Sequence, residues 1–168
     1  EALGFTAPTP VQEQIIPLLL EKPVDIAGQA QTGTGKTAAF GIPLVQLCDP
    51  GSRKTQALVL CPTRELCMQV ARDLNSFAKN LPTIRACAVY GGASIDNQIL
   101  SLRQGAPIIV PTPGRLHDLM RRQEIDLSAI RSVVLDEADE MLQMGFQDEL
   151  NAILAQTPAD KHTLLFSA

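Results

Sequence analysis

Short apolar runs punctuate the chain: Val24-Asp25-Ile26, Ala57 to Cys61, Ile84 to Tyr90, Ile108 to Val110, Val133 to Leu135 and Thr163 to Phe166. Runs this short, bounded by polar and turn-forming residues, read as buried strands. Helical spacing lies between them, as in Glu65 to Ala78, where Leu66, Val70, Leu74 and Phe77 recur three or four residues apart. Strand and helix therefore alternate. Parallel strands need crossover connections of that kind, so the pattern predicts an α/β fold with a mostly parallel twisted sheet and helices on both faces. Ligands of such sheets bind outside the carboxyl ends of the strands. No repeat or low-complexity tract interrupts the alternation, and Asp49-Pro50-Gly51-Ser52 reads as a surface turn, which predicts one domain over residues 1–168.

Composition narrows the class. With 45% hydrophobic and 19% charged residues the chain can bury a core, and no apolar run reaches the roughly 20 residues of a membrane-spanning helix. The opening EALGFTAPTP has no basic start followed by an apolar stretch, so a cytoplasmic protein without a membrane partner is expected. A net charge of −4 excludes bulk attraction as a way of holding nucleic acid, so any such site must be local. Cys48, Cys61, Cys67 and Cys87 form no C-x-x-C pair and read as buried free thiols rather than metal or redox groups. His117 and His162 lack a nucleophile or metal-ligand spacing around them and read as surface or helix-face residues. Met141, Met144 and Phe146 read as packing.

Chemistry concentrates at two strand ends. Ala30-Gln31-Thr32-Gly33-Thr34-Gly35-Lys36-Thr37 follows one strand candidate and opens a helix through Ala38, Ala39 and Phe40. This is the layout of a phosphate-binding loop: glycines let the backbone curl so that N–H groups face phosphate oxygens, Lys36 reaches the β and γ phosphates of ATP, and the Thr37 hydroxyl ligates Mg²⁺. Ala30 stands where the pattern G-x-x-x-x-G-K-[ST] has its first glycine. A glycine-rich turn between strand and helix is the bland alternative. One hundred residues further on, Asp136-Glu137-Ala138-Asp139 follows Val133-Val134-Leu135. An Asp at the end of a buried strand can hold Mg²⁺ directly or through water, and the next carboxylate can orient the water that attacks the γ-phosphate. Alone, such an acidic run is usually a solvated helix start.

Asp136-Glu137-Ala138-Asp139 spells DEAD, and with the motifs flanking it the chain resembles the DEAD-box RNA helicase family over almost its whole length. The resemblance implies the RecA-like form of the P-loop NTPase fold and a set of roles. Gly4-Phe5 and Pro8-Thr9-Pro10-Val11-Gln12 resemble the family's Q motif, which assigns Phe5 and Gln12 to the nucleotide; a Gln amide presents a donor and an acceptor complementary to adenine N6 and N7. Without the resemblance Gln12 would be a helix-surface residue. Pro62-Thr63-Arg64-Glu65-Leu66, Gly91-Gly92 and Thr112-Pro113-Gly114-Arg115 resemble motif Ia, the GG motif and motif Ib, which assigns Pro62, Thr63, Arg64, Gly91, Gly92, Thr112, Pro113, Gly114 and Arg115 to the RNA backbone. Ordinary capping by Thr63 and Thr112, with Pro113 at the first helical position, is the alternative. Pro111 stands where family members usually carry Ala and has no N–H to give to a sheet neighbour or a phosphate. Asp139 is implied to bond toward Ser167 and Ala168, where the family's Ser-Ala-Thr coupling motif needs one more residue; the chain thus reads as part of a longer protein whose second RecA-like domain brings an arginine finger. Two other activities share many of these motifs: a DNA helicase or translocase of the wider superfamily, and an ATP-gated RNA clamp with little turnover.

Overall fold

The computed structural model describes residues 7–21, 24–29 and 33–167. Its elements run α1 (Pro10–Glu21), β1 (Ile26–Gln29), α2 (Lys36–Leu47), β2 (Ala57–Leu60), α3 (Arg64–Phe77), β3 (Ala86–Val89), α4 (Ile95–Arg103), β4 (Ile108–Pro111), α5 (Pro113–Arg121), β5 (Ser132–Leu135), α6 (Ala138–Gln143), α7 (Gln147–Gln156) and β6 (His162–Ser167). The six strands form one sheet in the order β1-β6-β5-β2-β4-β3, and every pairing is parallel. Parallel pairing throughout puts all six carboxyl ends along one edge.

Alternation along β2 explains the two-faced core. Ala57, Val59 and Cys61 pack with Ile15, Phe40, Leu44, Val70 and Leu74 beneath α1, α2 and α3. Leu58 and Leu60 face the other way, toward Leu116, Leu119, Met141, Leu150 and Ile153 of α5, α6 and α7. The central strands are buried on both faces, as their uninterrupted apolar runs require. Helix α3 turns Cys67, Val70, Ala71 and Leu74 inward, and Leu66 and Phe77 pack at the margin of the same cluster.

Two strands depart from the expected runs by more than one residue at an end. β1 starts at Ile26, not Val24, because pairing with β6 begins at Ile26↔Leu164 and continues to Gln29↔Ser167; Asp25 is spent on a side-chain bond from Thr163 N at 2.7 Å. β3 is shorter than Ile84 to Tyr90, since Ile84 N closes a turn onto Leu81 O at 2.9 Å and Tyr90 O accepts from the Gln98 side chain at 3.1 Å.

Pro111 lies at the end of β4, between β2 and β3. Its carbonyl accepts from Cys61 N at 3.1 Å, a register in which a residue other than proline would donate to Val59 O. That donor is missing, and β2–β4 pairing stops at Leu58↔Ile109. The Cys61 thiol, 3.7 Å from Val59 O, takes over as a weak donor. Cys48, Cys61 and Cys67 are buried and all four cysteines are free thiols. Burial pushes the Cys48 thiol up to about 11; a hydrogen bond with Cys67, and then burial, push Cys61 well above its ordinary value. Inert, protonated thiols fit that environment.

Helix α2 approaches α3 through Gly41, where a Cβ would lie 2.8 Å from Leu74 Cδ2 and 3.0 Å from Phe77 Cε2. Overpacking this seam by Gly41→Val is expected to cost about 1–3 kcal/mol. The measurement is urea unfolding, with a lower midpoint at unchanged slope; an unchanged midpoint would mean that the seam relaxes freely.

Candidate active site

Lys36 is the first residue of α2 and Asp136 the first after β5. β2 lies next to β5 with Leu60 opposite Leu135, and Asp136 N donates to Leu60 O at 2.9 Å, so Asp136 is fixed at the sheet's carboxyl edge. Both side chains are buried, 7% and 3% exposed. Lys36 Nζ stands 3.7 Å from Asp136 Oδ1, an ion pair longer than hydrogen-bond reach, and among the described residues neither atom has a hydrogen-bond partner. Burial pushes the Asp136 carboxyl above its ordinary value, against the opposing charge of Lys36 and a bond from Glu137 N. A buried ion pair this long, with the hydrogen-bonding capacity of both facing atoms unused, leaves room for a third group between them.

The space beside them is a cleft of about 590 Å³, bounded by Gln12, Gly33, Gly35, Lys36 and Thr37 on one side, Asp136 and Glu137 at one end, and Gln69, Asp73 and Phe77 of α3 as a wall. Gly33 and Gly35 have φ of 82° and 88°, the left-handed region that favours glycine. At Gly35 a Cβ would also lie 2.4 Å from Gln12 Nε2. Gln12 is accordingly not a helix-surface residue. It is buried, its Oε1 accepts from Thr9 N at 3.0 Å and its Nε2 donates to Gly35 O at 3.2 Å, tying α1 to the glycine-rich loop. Among the described residues, one N–H and one lone pair of the amide remain.

Glu137 has φ 53° and ψ 51°, a left-handed conformation that costs a residue with a side chain about 1–2 kcal/mol. A hydrogen bond with Glu140, burial and repulsion from Asp136 push its carboxyl up to about 7. Glu140 and the α3 wall were not foreseen from the sequence; the i,i+3 spacing from Glu137 to Glu140 was the available signal.

Ser167 ends β6 opposite Gln29, beside the strand that leads into the glycine-rich loop. Asp139 lies in the first turn of α6, and among the described residues no hydrogen bond joins it to Ser167. Phe5, Ala30, Gln31, Thr32 and Ala168 lie outside the described residues.

The three remaining loops sit side by side on the same edge, after β2, β3 and β4. Thr63 is a true N-cap, accepting from Leu66 N at 3.2 Å, with Pro62 buried and Arg64 exposed. Thr112 holds the N-cap position of α5 but makes no capping bond, so capping accounts for Thr63 and not for the Thr112 hydroxyl. Pro113 opens α5 as expected, Gly114 is exposed, and Gly91 and Gly92 are exposed with nothing within 4 Å of an added Cβ. Arg115 points inward: its Nη1 donates to Gln98 Oε1 at 2.7 Å and its Nη2 to Ala93 O at 3.1 Å. Arg64 lies over the Tyr90 ring, 5.2 Å from its centroid.

An all-parallel α/β sheet whose carboxyl edge carries a glycine-rich loop, a helix-opening lysine and a strand-end aspartate is the RecA-like form of the P-loop NTPase fold. The chain belongs to the DEAD/DEAH box helicase family, whose family model matches residues 9–168. Among curated relatives it is 50% identical to the ATP-dependent RNA helicase CshA of Listeria monocytogenes over 99% of this chain and 32% of that protein. It is likewise 50% identical to the ATP-dependent RNA helicase DeaD of Escherichia coli over 99% of this chain and 26% of that protein. The chain thus spans about a quarter to a third of the relatives' length. A DEAD box protein from Methanococcus jannaschii superposes with a TM-score of 0.94 at 43% identity, covering 99% of this chain and 45% of that one. A variant of Saccharomyces cerevisiae Dbp5, in a complex that includes Nup159, Gle1, IP6 and ADP, superposes at 0.89 with 35% identity over 99% of this chain and 44% of that one.

Proposed function

We propose that residues 1–168 form the ATP-binding domain of an ATP-dependent RNA helicase, which hydrolyses ATP and separates RNA strands when a second RecA-like domain of the same polypeptide closes over the cleft. The observation that carries this reading is the buried Lys36–Asp136 ion pair at 3.7 Å, whose two facing atoms have no hydrogen-bond partner among the described residues. A phosphate oxygen would satisfy Lys36 Nζ, and a divalent cation would satisfy Asp136 Oδ1; the donors present are hard oxygens, which suit Mg²⁺. Thr37 and Asp136 are the residues that would hold it, partly through water. Bound there, Mg²⁺ would neutralise charge on the β and γ phosphates.

The remaining roles belong to the chain's own residues. Backbone N–H groups of Gln31, Thr32, Gly33, Thr34 and Gly35 cradle the phosphates, and Lys36 supplies the point charge at the β and γ oxygens. Glu137, once ionised, orients the attacking water and accepts its proton. Phe5 and the free donor and acceptor of Gln12 hold adenine. Pro62, Thr63, Arg64, Gly91, Gly92, Thr112, Pro113, Gly114 and Arg115 take the RNA backbone, a reading supported by the unused Thr112 hydroxyl and by the open space over the two glycines. Asp139, Ser167 and Ala168 couple the two sites. No helix among the described residues is long and apolar enough to cross a membrane, and we place the protein in the cytoplasm.

The test is phosphate release by the full-length protein with single-stranded RNA, DNA or neither. Stimulation by RNA alone is expected. Equal stimulation by DNA would favour a translocase, and tight RNA binding without turnover a clamp.

A smaller prediction concerns Gln12. Gln12→Ala removes the acceptor of Thr9 N and the donor to Gly35 O, both in a part-buried setting, so a stability loss of about 1–3 kcal/mol is expected together with weaker discrimination of ADP from GDP. Equal wild-type affinity for the two nucleotides would overturn the adenine role.

A further inference from the structure

Three separate loops at the sheet's carboxyl edge are joined by one chain of side-chain contacts. Arg64, after β2, stacks on Tyr90 at the end of β3. Tyr90 O accepts from Gln98 Nε2 at 3.1 Å. Gln98 Oε1 accepts from Arg115 Nη1 at 2.7 Å, and Arg115 Nη2 reaches Ala93 O at 3.1 Å, beside the glycine pair. The middle of this chain is a glutamine on the buried side of α4, 8% exposed, the one buried residue of that helix. A polar side chain at an inward helix position is costly unless both ends of its amide are used. Here the carbonyl holds one loop and the amine another. We infer that Gln98 is a positioning residue for RNA binding: it sets the Arg115 guanidinium and clamps the loops after β3 and β4 at a fixed spacing, without touching RNA itself.

The physical reason is pre-organisation. RNA phosphates are regularly spaced, so loops that hold matching spacing before binding avoid the ordering cost at the moment of contact. Arg115 is one of the few cations at this edge of a chain with net charge −4, so its direction matters more than it would in a basic protein. Gly92, at φ 76°, leaves the intervening loop little intrinsic stiffness, and Gln98 replaces it with a bridge from helix to helix.

The inference rests on the proposed RNA role of the loop after β4. Its test is a double-mutant cycle in the full-length protein, with short single-stranded RNA, Mg²⁺ and a non-hydrolysable ATP analogue as probes. Gln98→Met fills the space but removes both polar ends, and is expected to weaken RNA affinity about tenfold. It should also lower the slope of log affinity against log salt by about 0.7, the share of one lost phosphate contact on a single strand. Arg115→Ala should do the same, and adding Gln98→Met to it should cost less than about twofold more. Nucleotide affinity and the melting temperature report whether the fold is intact; if Gln98→Met fails to fold, Gln98→Ala repeats the cycle with a cavity in place of the methionine. Additive losses, or a Gln98 variant with unchanged RNA affinity where Arg115→Ala is impaired, would overturn the positioning role. An Arg115→Ala protein that binds RNA normally would instead overturn the RNA-contact reading of that loop.

Discussion

Lys36→Ala is expected to lower ATP turnover of the full-length protein by about 10³-fold or more and to weaken nucleotide binding, while the domain still folds. The size follows from the site. Lys36 Nζ is buried with no hydrogen-bond partner among the described residues, and a charge-assisted contact in a desolvated cleft is worth far more than one in water. Folding survives because Asp136, whose carboxyl burial already pushes above its ordinary 3.8, can take a proton instead of remaining an unpaired buried anion. The sign is fixed by that direction. A carboxyl raised in the folded state contributes stability below its unfolded value and loses it as pH climbs through the folded one. Removing Lys36, which opposes the rise, strengthens this dependence, so the variant's deficit should grow as pH rises from about 4. Phosphate release, nucleotide titration and urea unfolding at several pH values check the three parts. Wild-type turnover in a folded Lys36→Ala protein would end the phosphate-loop assignment.

The second large effect is expected at Glu137. Glu137→Gln keeps the size and the left-handed backbone but loses the group that accepts a proton, so the hydrolysis step should slow by about 10²- to 10⁴-fold. Nucleotide affinity should change by less than about threefold, because a contact made only in the transition state leaves ground-state binding alone. Single-turnover hydrolysis beside equilibrium titration separates the two quantities. A joint fall of both would assign Glu137 a structural role. Its raised carboxyl adds a pH signature. With the group near 7 in the free enzyme, the acid limb of kcat/KM should lie near neutrality. The hydrogen bond with Glu140 is the largest cause of that rise, so Glu140→Gln should move the limb to lower pH; a limb that stays put would mean another group titrates there.

Most of what positions this site was legible in the sequence, for a local reason: each strand's apolar run ends where the residue at the sheet's carboxyl edge begins. Asp136 after Val133-Val134-Leu135 and Thr63 after the Ala57 to Cys61 run fell where expected. What was not legible depends on partners far along the chain. The start of β1 is set by pairing with β6 some 138 residues away, through the Asp25 to Thr163 bond. Gln12 reads as a surface helix residue until Gly35, 23 residues on, is brought against it. Gln98 carries no motif, and its meaning arises only when Tyr90 and Arg115 converge on it. Pro111 was visible as a missing donor; that it interrupts an inner pairing, and that the Cys61 thiol stands in, required the strand order.

Under the proposed function, the cleft between the glycine-rich loop and Asp136 is an adenine-nucleotide site belonging to this domain, and turnover requires a second RecA-like domain. Calorimetric titration of residues 1–168 with ADP and Mg²⁺, run beside the same titration of Lys36→Ala, tests it most directly. One site per chain, weakened at least tenfold by the substitution and paired with almost no RNA-stimulated hydrolysis by the isolated domain, is the predicted result. Binding that Lys36→Ala leaves unchanged, or efficient duplex unwinding by these residues alone, would contradict it.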